Sequence, residues 1–252
     1  MRRARSAFRP LSRALTLGLA MLALAGCFPF KSREAFDRQR RLLTLAASEA
    51  TQIVTAQHQL ERLLNLAYQQ NLRRLPSDAS ATLETARRVV DAAAPSALSE
   101  HLRLSAWISI SQLARRAQNG TLARQACDEA VRFLRRLEPL RQRSEYLSSV
   151  ATETAFIHGD PTAVLLLRDG ADWTRHIADA ALRRKALASI AWQIFTLKDD
   201  AVGLGVLRHD ADAAWRTDTL TGFAGAPMHR QLRSSAYSFG RDISFESVYQ
   251  RK

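Results

Sequence analysis

Cysteine, proline and glycine are all scarce in this chain, at two, seven and ten of 252 residues. Two cysteines, Cys27 and Cys127, cannot build a disulfide framework, so apolar packing must hold the core, and the length suffices to bury a sizeable one. Runs of β-branched or aromatic residues are few, and no stretch of alternating apolar residues reads as a strand. Ala, Leu and Arg dominate instead, and such side chains lose little freedom in a helix. The expected class is all-α.

Catalytic patterns are missing as well. The six histidines are scattered, and none forms the His-Glu-x-x-His pair that sets two ligands on one helix face. His209, Asp210 and Asp212 stand at i, i+1 and i+3, which do not converge on one ion. His158 beside Gly159-Asp160 falls in a turn, where polar residues are ordinary. There is no Gly-rich phosphate loop and no Gly-x-Ser-x-Gly elbow. The sequence predicts no enzyme, no metal and no cofactor.

The amino terminus reads as an export signal. Five arginines (Arg2, Arg3, Arg5, Arg9, Arg13) precede an apolar run from Ala14 to Ala25, which is too short to span a bilayer. Leu24-Ala25-Gly26-Cys27 follows, and it resembles the bacterial lipobox. That resemblance implies cleavage before Cys27 and acyl chains on its thiol and new amino terminus, which together anchor firmly. Phe28 rather than Asp follows the cysteine, which in the same family points to the outer membrane, facing the periplasm. The tether, residues 27–32, spans ~17 Å at most, so the folded part sits close to the head groups. Phe28 and Phe30 can reach the interface, and Lys31, Arg33, Arg38, Arg40 and Arg41 follow as a basic patch.

Without the five signal arginines the formal charge of +13 falls to +8. Much of the excess lies in pairs such as Arg73-Arg74, Arg115-Arg116 and Arg183-Arg184. These read either as solvated helix faces or as attraction for anionic lipid and acidic protein. Export removes nucleic acid as a partner. With Cys27 acylated, Cys127 has no mate in the chain, and its apolar mid-helix position suits a buried thiol.

Self-similarity is the strongest signal in the mature part. Arg103, Trp107, Ser109 and Ile110 recur as Arg143, Leu147, Ser149 and Val150, and again as Arg183, Leu187, Ser189 and Ile190, 40 residues apart each time. In each copy a large residue is followed by an aliphatic and then a small one on one helical face: Trp107, Ile110, Ser111; Leu147, Val150, Ala151; Leu187, Ile190, Ala191. Turns follow at Asn119-Gly120, Gly159-Asp160-Pro161 and Asp199-Asp200. A second helix then opens on Ala123, Ala163 or Gly203, with Cys127, Leu167 or Leu207 one turn on. The register continues from Leu167-Arg168 and Ala171-Asp172 into Leu207-Arg208 and Ala211-Asp212. A fainter copy carries Leu63, Leu66, Ala67, Pro76, Ala79, Leu83 and Ala86.

This arrangement resembles the tetratricopeptide (TPR) family over about Leu60 to Thr219. The resemblance implies a right-handed α-solenoid of helical hairpins with a small residue third in the second helix. Ala130 and Gly170 supply that residue, and Asp210 departs from it. Two further departures are the period of 40, against about 34 in the family, and Gln70, Ala114, Thr154 and Ile194 at its tyrosine position. Residues 33 to about 57 lack Gly and Pro, with apolar positions at Leu43, Ala46, Ala50, Ile53, Leu60 and Leu64, and suit an amphipathic capping helix. The run is short of the heptads a coiled coil needs. After 220, Gly222, Gly225 and Pro227 break the pattern, so 33–220 is the expected repeat domain and 221–252 an irregular tail, either docked or disordered.

In the family it resembles, the first helices line a concave groove that holds a peptide or a partner's helix. Carried over by position, the groove here takes Gln112, Arg115, Arg116, Thr152, Phe156, Lys185 and Trp192, with Ser105, Ile108, Glu145, Ser148, Ala188 and Thr196 beside them. Aromatics at helical spacing are also ordinary core, which is the competing reading of Phe156 and Trp192. Two functions follow: a membrane-anchored scaffold that binds another envelope protein, or a binder of small ligands or cell-wall fragments using a basic concave face.

Overall fold

The computed structural model describes residues 33–138 and 140–225. The lipobox residues Leu24 to Cys27, the tether and the tail beyond Gly225 lie outside the described residues. Within them the chain is all-helical, with no strand. None of the described helices is long and apolar enough to cross a membrane.

Two units divide between Gln52 and Ile53. The first holds one described helix, α1, residues 33–50, on which Phe36, Leu42 and Leu45 are exposed. The expected helix to about residue 57 stops earlier. Thr51 turns its hydroxyl onto the Ser48 carbonyl at 2.6 Å, and its own N–H bonds the same oxygen at 3.1 Å. Thr51, Ile53, Val54 and Thr55 are all β-branched, which disfavours continuing the helix.

The second unit holds nine helices among the described residues. They are α2 (Ala56–Leu72), α3 (Pro76–Ala92), α4 (Glu100–Arg116), α5 (Gly120–Arg136), α6 (Leu140–His158), α7 (Asp160–Thr174), α8 (Ala180–Thr196), α9 (Asp200–Leu207) and α10 (Ala213–Gly225). α2/α3, α4/α5, α6/α7 and α8/α9 pack as consecutive hairpins. Each second helix also meets the first helix of the next hairpin, and the first helices α2, α4, α6 and α8 touch in sequence. This is a helical-repeat solenoid. The first two hairpins are offset by 44 residues rather than 40, from Pro76 to Gly120, which is why the first copy is faint in the sequence.

Equivalent positions have equivalent surroundings. Leu63, Trp107, Leu147 and Leu187 are all at most 3% exposed. Ala79, Ala123 and Ala163 are fully buried, Gly203 is buried at the fourth copy, and Leu83, Cys127, Leu167 and Leu207 fill the next turn. Burying each large apolar side chain stabilises by about 1.5–3 kcal/mol. The small residues set how closely helices approach. A Cβ on Gly170 would stand 2.2 Å from Leu147 Cδ2 and 3.2 Å from its Cγ, so the glycine is the space that Leu147 occupies.

The repeated arginine joins one hairpin to the next. Arg103 donates to the Val90 carbonyl at 2.8 Å, the Leu98 carbonyl at 3.1 Å and the Ala93 carbonyl, at and beyond the end of α3. Arg143 donates to the Leu137 carbonyl at 3.0 Å beyond α5, and Arg183 to that of Ile177 at 3.0 Å beyond α7. Helix C-termini leave carbonyls unsatisfied and carry partial negative charge, so a cation from the next helix serves both needs. Among the described residues no hairpin precedes the first, and its equivalent position holds Gln59.

The turns inside the hairpins also repeat. Arg74, Gln118 and Lys198 take left-handed φ values of 56°, 60° and 63°. In each case the next residue's N–H bonds the carbonyl five back: Leu75 to Gln70, Asn119 to Ala114, Asp199 to Ile194. These are Schellman closures made without glycine. In the third hairpin the left-handed residue is Gly159, φ 90°, directly before α7. Asn119 and Asp199 then cap α5 and α9 through the N–H groups of Leu122 and Val202.

Repetition ends at α9, which has 8 residues where α5 has 17. Gly203 and Gly205 weaken it, and Asp210 and Asp212 turn the chain: Asp210 accepts from the Asp212 N–H at 2.9 Å, and Asp212 from that of Trp215 at 3.1 Å. The likeness of Ala211-Asp212 to Ala171-Asp172 therefore does not carry a helix. Residues 171 and 172 lie in α7, whereas 211 and 212 lie in a turn. α10 then runs to Gly225, through Gly222 and past residue 220.

Gly170→Ala should destabilise the fold by about 1–3 kcal/mol, although alanine ordinarily stabilises a helix interior. In a Leu147→Ala background the same change should be neutral or stabilising. Denaturant midpoints of the four proteins test this, and equal effects in both backgrounds would remove the close contact as the cause.

Candidate functional site

The first helices stack in register, so positions 40 residues apart form rows. Gln112, Thr152 and Trp192 make one such row, each half-buried. Beside it lies the row of Arg116, which is exposed, Phe156, which is 40% exposed, and Thr196, which is half-buried. Ser105, Ser148 and Ala188 are half-buried, and Glu145 and Lys185 are exposed. Ile108 is 1% exposed and belongs to the core.

Arg115 and Phe156 are brought together. The Arg115 guanidinium stands 4.2 Å over the Phe156 ring. The same guanidinium grips Glu153 with both arms, Nε to Oε1 at 3.1 Å and Nη2 to Oε2 at 3.3 Å. Glu153 is 2% exposed, and Ser111 Oγ lies 3.1 Å from its Oε1 and 3.0 Å from the Ala123 carbonyl oxygen. One ion pair thus ties α4 to α6 and holds a cation over a partly exposed ring, an attraction worth roughly 0.5–1 kcal/mol or more. Glu153 escaped the sequence reading. Its signal was an acid in the phase where the neighbouring copies place Leu113 and Gln193, both buried.

Trp192 meets α10. Its ring centroid lies 5.0 Å from that of Phe223, and Phe195 stands 5.9 Å from the same ring on the other side. At the opposite end of α8, Arg184 clamps the turn before α10. Its Nε donates to Asp210 Oδ2 at 2.9 Å, its Nη2 to Asp212 Oδ2 at 3.0 Å, and its guanidinium stands 5.6 Å from the Trp215 ring. Contacts between successive first helices span 42 residues at Asn71–Leu113, 38 at Arg115–Glu153 and 45 at His101–Tyr146. Trp192–Phe223 spans only 31, and the shortened α9 accounts for the difference. α10 touches α8 through Phe223, which meets Trp192 and Phe195, and none of its own residues is buried.

Charge follows this geometry. The hydrogen bonds from Arg184 hold Asp210 below the usual carboxylate range, and the Trp215 N–H, then Arg184, does the same for Asp212. Burial pushes the Cys127 thiol up to about 12, with its sulfur 3.7 Å from Thr154 Oγ1, so it stays protonated and unreactive. Among the described residues, no three His, Cys, Asp or Glu side chains gather as metal ligands. No family model, curated protein or solved structure matches the chain.

Two outcomes follow. Arg115→Ala leaves the buried Glu153 carboxylate without its cation and should cost about 1–3 kcal/mol, while Arg115→Met with Glu153→Met should recover most of that loss in a denaturation cycle. Asp210 and Asp212 have depressed folded pKa values, so their contribution is present above about pH 4 and lost as pH falls through those values. Acid should therefore release α10, read as a change in Trp215 emission. An acid step persisting in the Asp210→Asn/Asp212→Asn double variant would assign it to other groups.

Proposed function

We propose that this chain is a lipid-anchored scaffold of the bacterial envelope, which holds another envelope protein or peptide on the outer face of its TPR-like first helices. Cys27 carries the acyl chains in this reading, at the outer membrane and facing the periplasm. The stack begins a short distance along the chain from that anchor. Residues 33–42 of α1, including Arg33, Arg38, Arg40 and Arg41, are exposed and suit a position near anionic head groups.

The observation that carries the reading is the register of the first helices over three hairpins. Gln112, Thr152 and Trp192 recur as one row, and the partly exposed Phe156 beneath Arg115 lies beside it. A ring held by a cation is pre-ordered, so a partner loses little by ordering it, and such residues favour protein contacts. Trp192 packs on Phe223, so its ring is held in place beside that row.

Fractionation of the native envelope tests the anchor: the wild-type chain should enter the membrane fraction, and Cys27→Ser should not. Photo-crosslinking from position 112 or 152 in that envelope tests the partner. A discrete adduct that disappears on Phe156→Ala, with helicity unchanged, is expected. An adduct indifferent to Phe156, or none at all, would remove the proposed surface.

A further inference from the structure

A cleft of about 490 Å³ opens where the end of α7, the start of α8 and the turn between α9 and α10 meet. Arg175, Arg183, Arg184, His209, Asp210 and Asp212 line it, with the buried Leu187 among them. It lies at the joint between hairpins, away from the Gln112–Trp192 row. The volume is in the range of small-molecule sites, roughly 300–1,000 Å³.

Its charged groups divide into two sets. Arg184, Asp210 and Asp212 satisfy one another and form a closed wall: Asp210 takes Arg184 Nε at 2.9 Å and Nη2 at 3.3 Å, and Asp212 takes Nη2 at 3.0 Å. The other set is not closed. Arg183 gives one N–H to the Ile177 carbonyl, and Arg175 donates from Nη2 to His209 Nε2 at 3.1 Å. With Nε2 accepting, the imidazole proton sits on Nδ1. That Nδ1 is buried and has no hydrogen-bond partner, an arrangement costing about 1–3 kcal/mol when left unmet. The one acid facing Arg175 from its own helix end is Asp172 at 3.2 Å, with both side chains more than half exposed. An exposed pair of that kind is worth about 0–1 kcal/mol, so a better acceptor displaces it.

We propose that this cleft binds a small molecule through a carboxylate or phosphate group, which accepts from His209 Nδ1 and from the guanidinium groups of Arg175 and Arg183. Guanidinium forks match the paired oxygens of such groups, and charge-assisted hydrogen bonds are the stronger kind. The Arg184–Asp210–Asp212 wall keeps the third guanidinium out of the binding set and holds the turn that carries His209. The proposal is independent of the scaffold reading, because it concerns neither Cys27 nor the Phe156 surface.

Calorimetric titration of the full chain in detergent tests it, using inorganic phosphate and succinate against chloride at constant ionic strength. At least one of the two should bind in excess of chloride and raise the thermal midpoint. Arg175→Gln and His209→Gln should each weaken that binding about tenfold or more, with the anion-free midpoint not lowered. Arg175→Lys should recover part of the affinity, and Arg132→Gln, on the exposed side of α5, should leave it intact. A response to phosphate alone identifies a phosphoryl ligand, and one to succinate alone a carboxylate. Absence of binding beyond chloride, or equal binding by wild type and the Arg175→Gln/His209→Gln double variant, would overturn the site.

Discussion

A helical hairpin has more apolar face than its own two helices can cover, and the remainder must be covered by the next hairpin. That constraint governs this molecule. Leu63, Trp107, Leu147 and Leu187 each lie where a hairpin closes, and each is withdrawn from water. Closure requires small residues beside large ones: Gly170 leaves the space Leu147 fills, Gly203 lies against the Phe195 ring, and Ala123 and Ala163 are fully buried. The period of 40 is the length of chain needed to go up one helix and down the next and return a large residue to the same phase.

Polar groups make the joints between these units. Arg103, Arg143 and Arg183 bond carbonyls that the preceding helix leaves open, so the only cation identical in the three later copies serves the architecture. Arg115 and Glu153 add a lateral tie between α4 and α6. The stack ends where Asp210 takes the position of a small residue. Being charged, it cannot be buried against a helix without a partner, and Arg184 supplies one while the chain turns into α10.

These joints bear directly on function. A basic composition suggested free arginines on a concave face, yet Arg115 is engaged by Glu153 and Phe156, and Arg184 by two aspartates. What the first helices offer is a ring held under a cation and a half-buried row of Gln112, Thr152 and Trp192. The less satisfied cations gather elsewhere, around His209 at the joint between the third and fourth hairpins. The surface proposed for a protein partner and the cleft proposed for an anion thus lie on separate parts of the stack.

Periodic placement of apolar, small and turn residues determined the all-helical class, the turns within hairpins near Asn119, Gly159 and Asp199, and the rows to which Gln112, Thr152 and Trp192 belong. Such features depend on local spacing, and spacing is written in the order of residues. The contact of Trp192 with Phe223 was decided in three dimensions. So were the pairing of Arg115 with Glu153, 38 residues apart, and the gathering of Arg175, Arg183 and His209 around one cleft. The reason is physical: a charge or a ring acquires its role from whichever group folding brings within a few ångströms, and that neighbour comes from another hairpin.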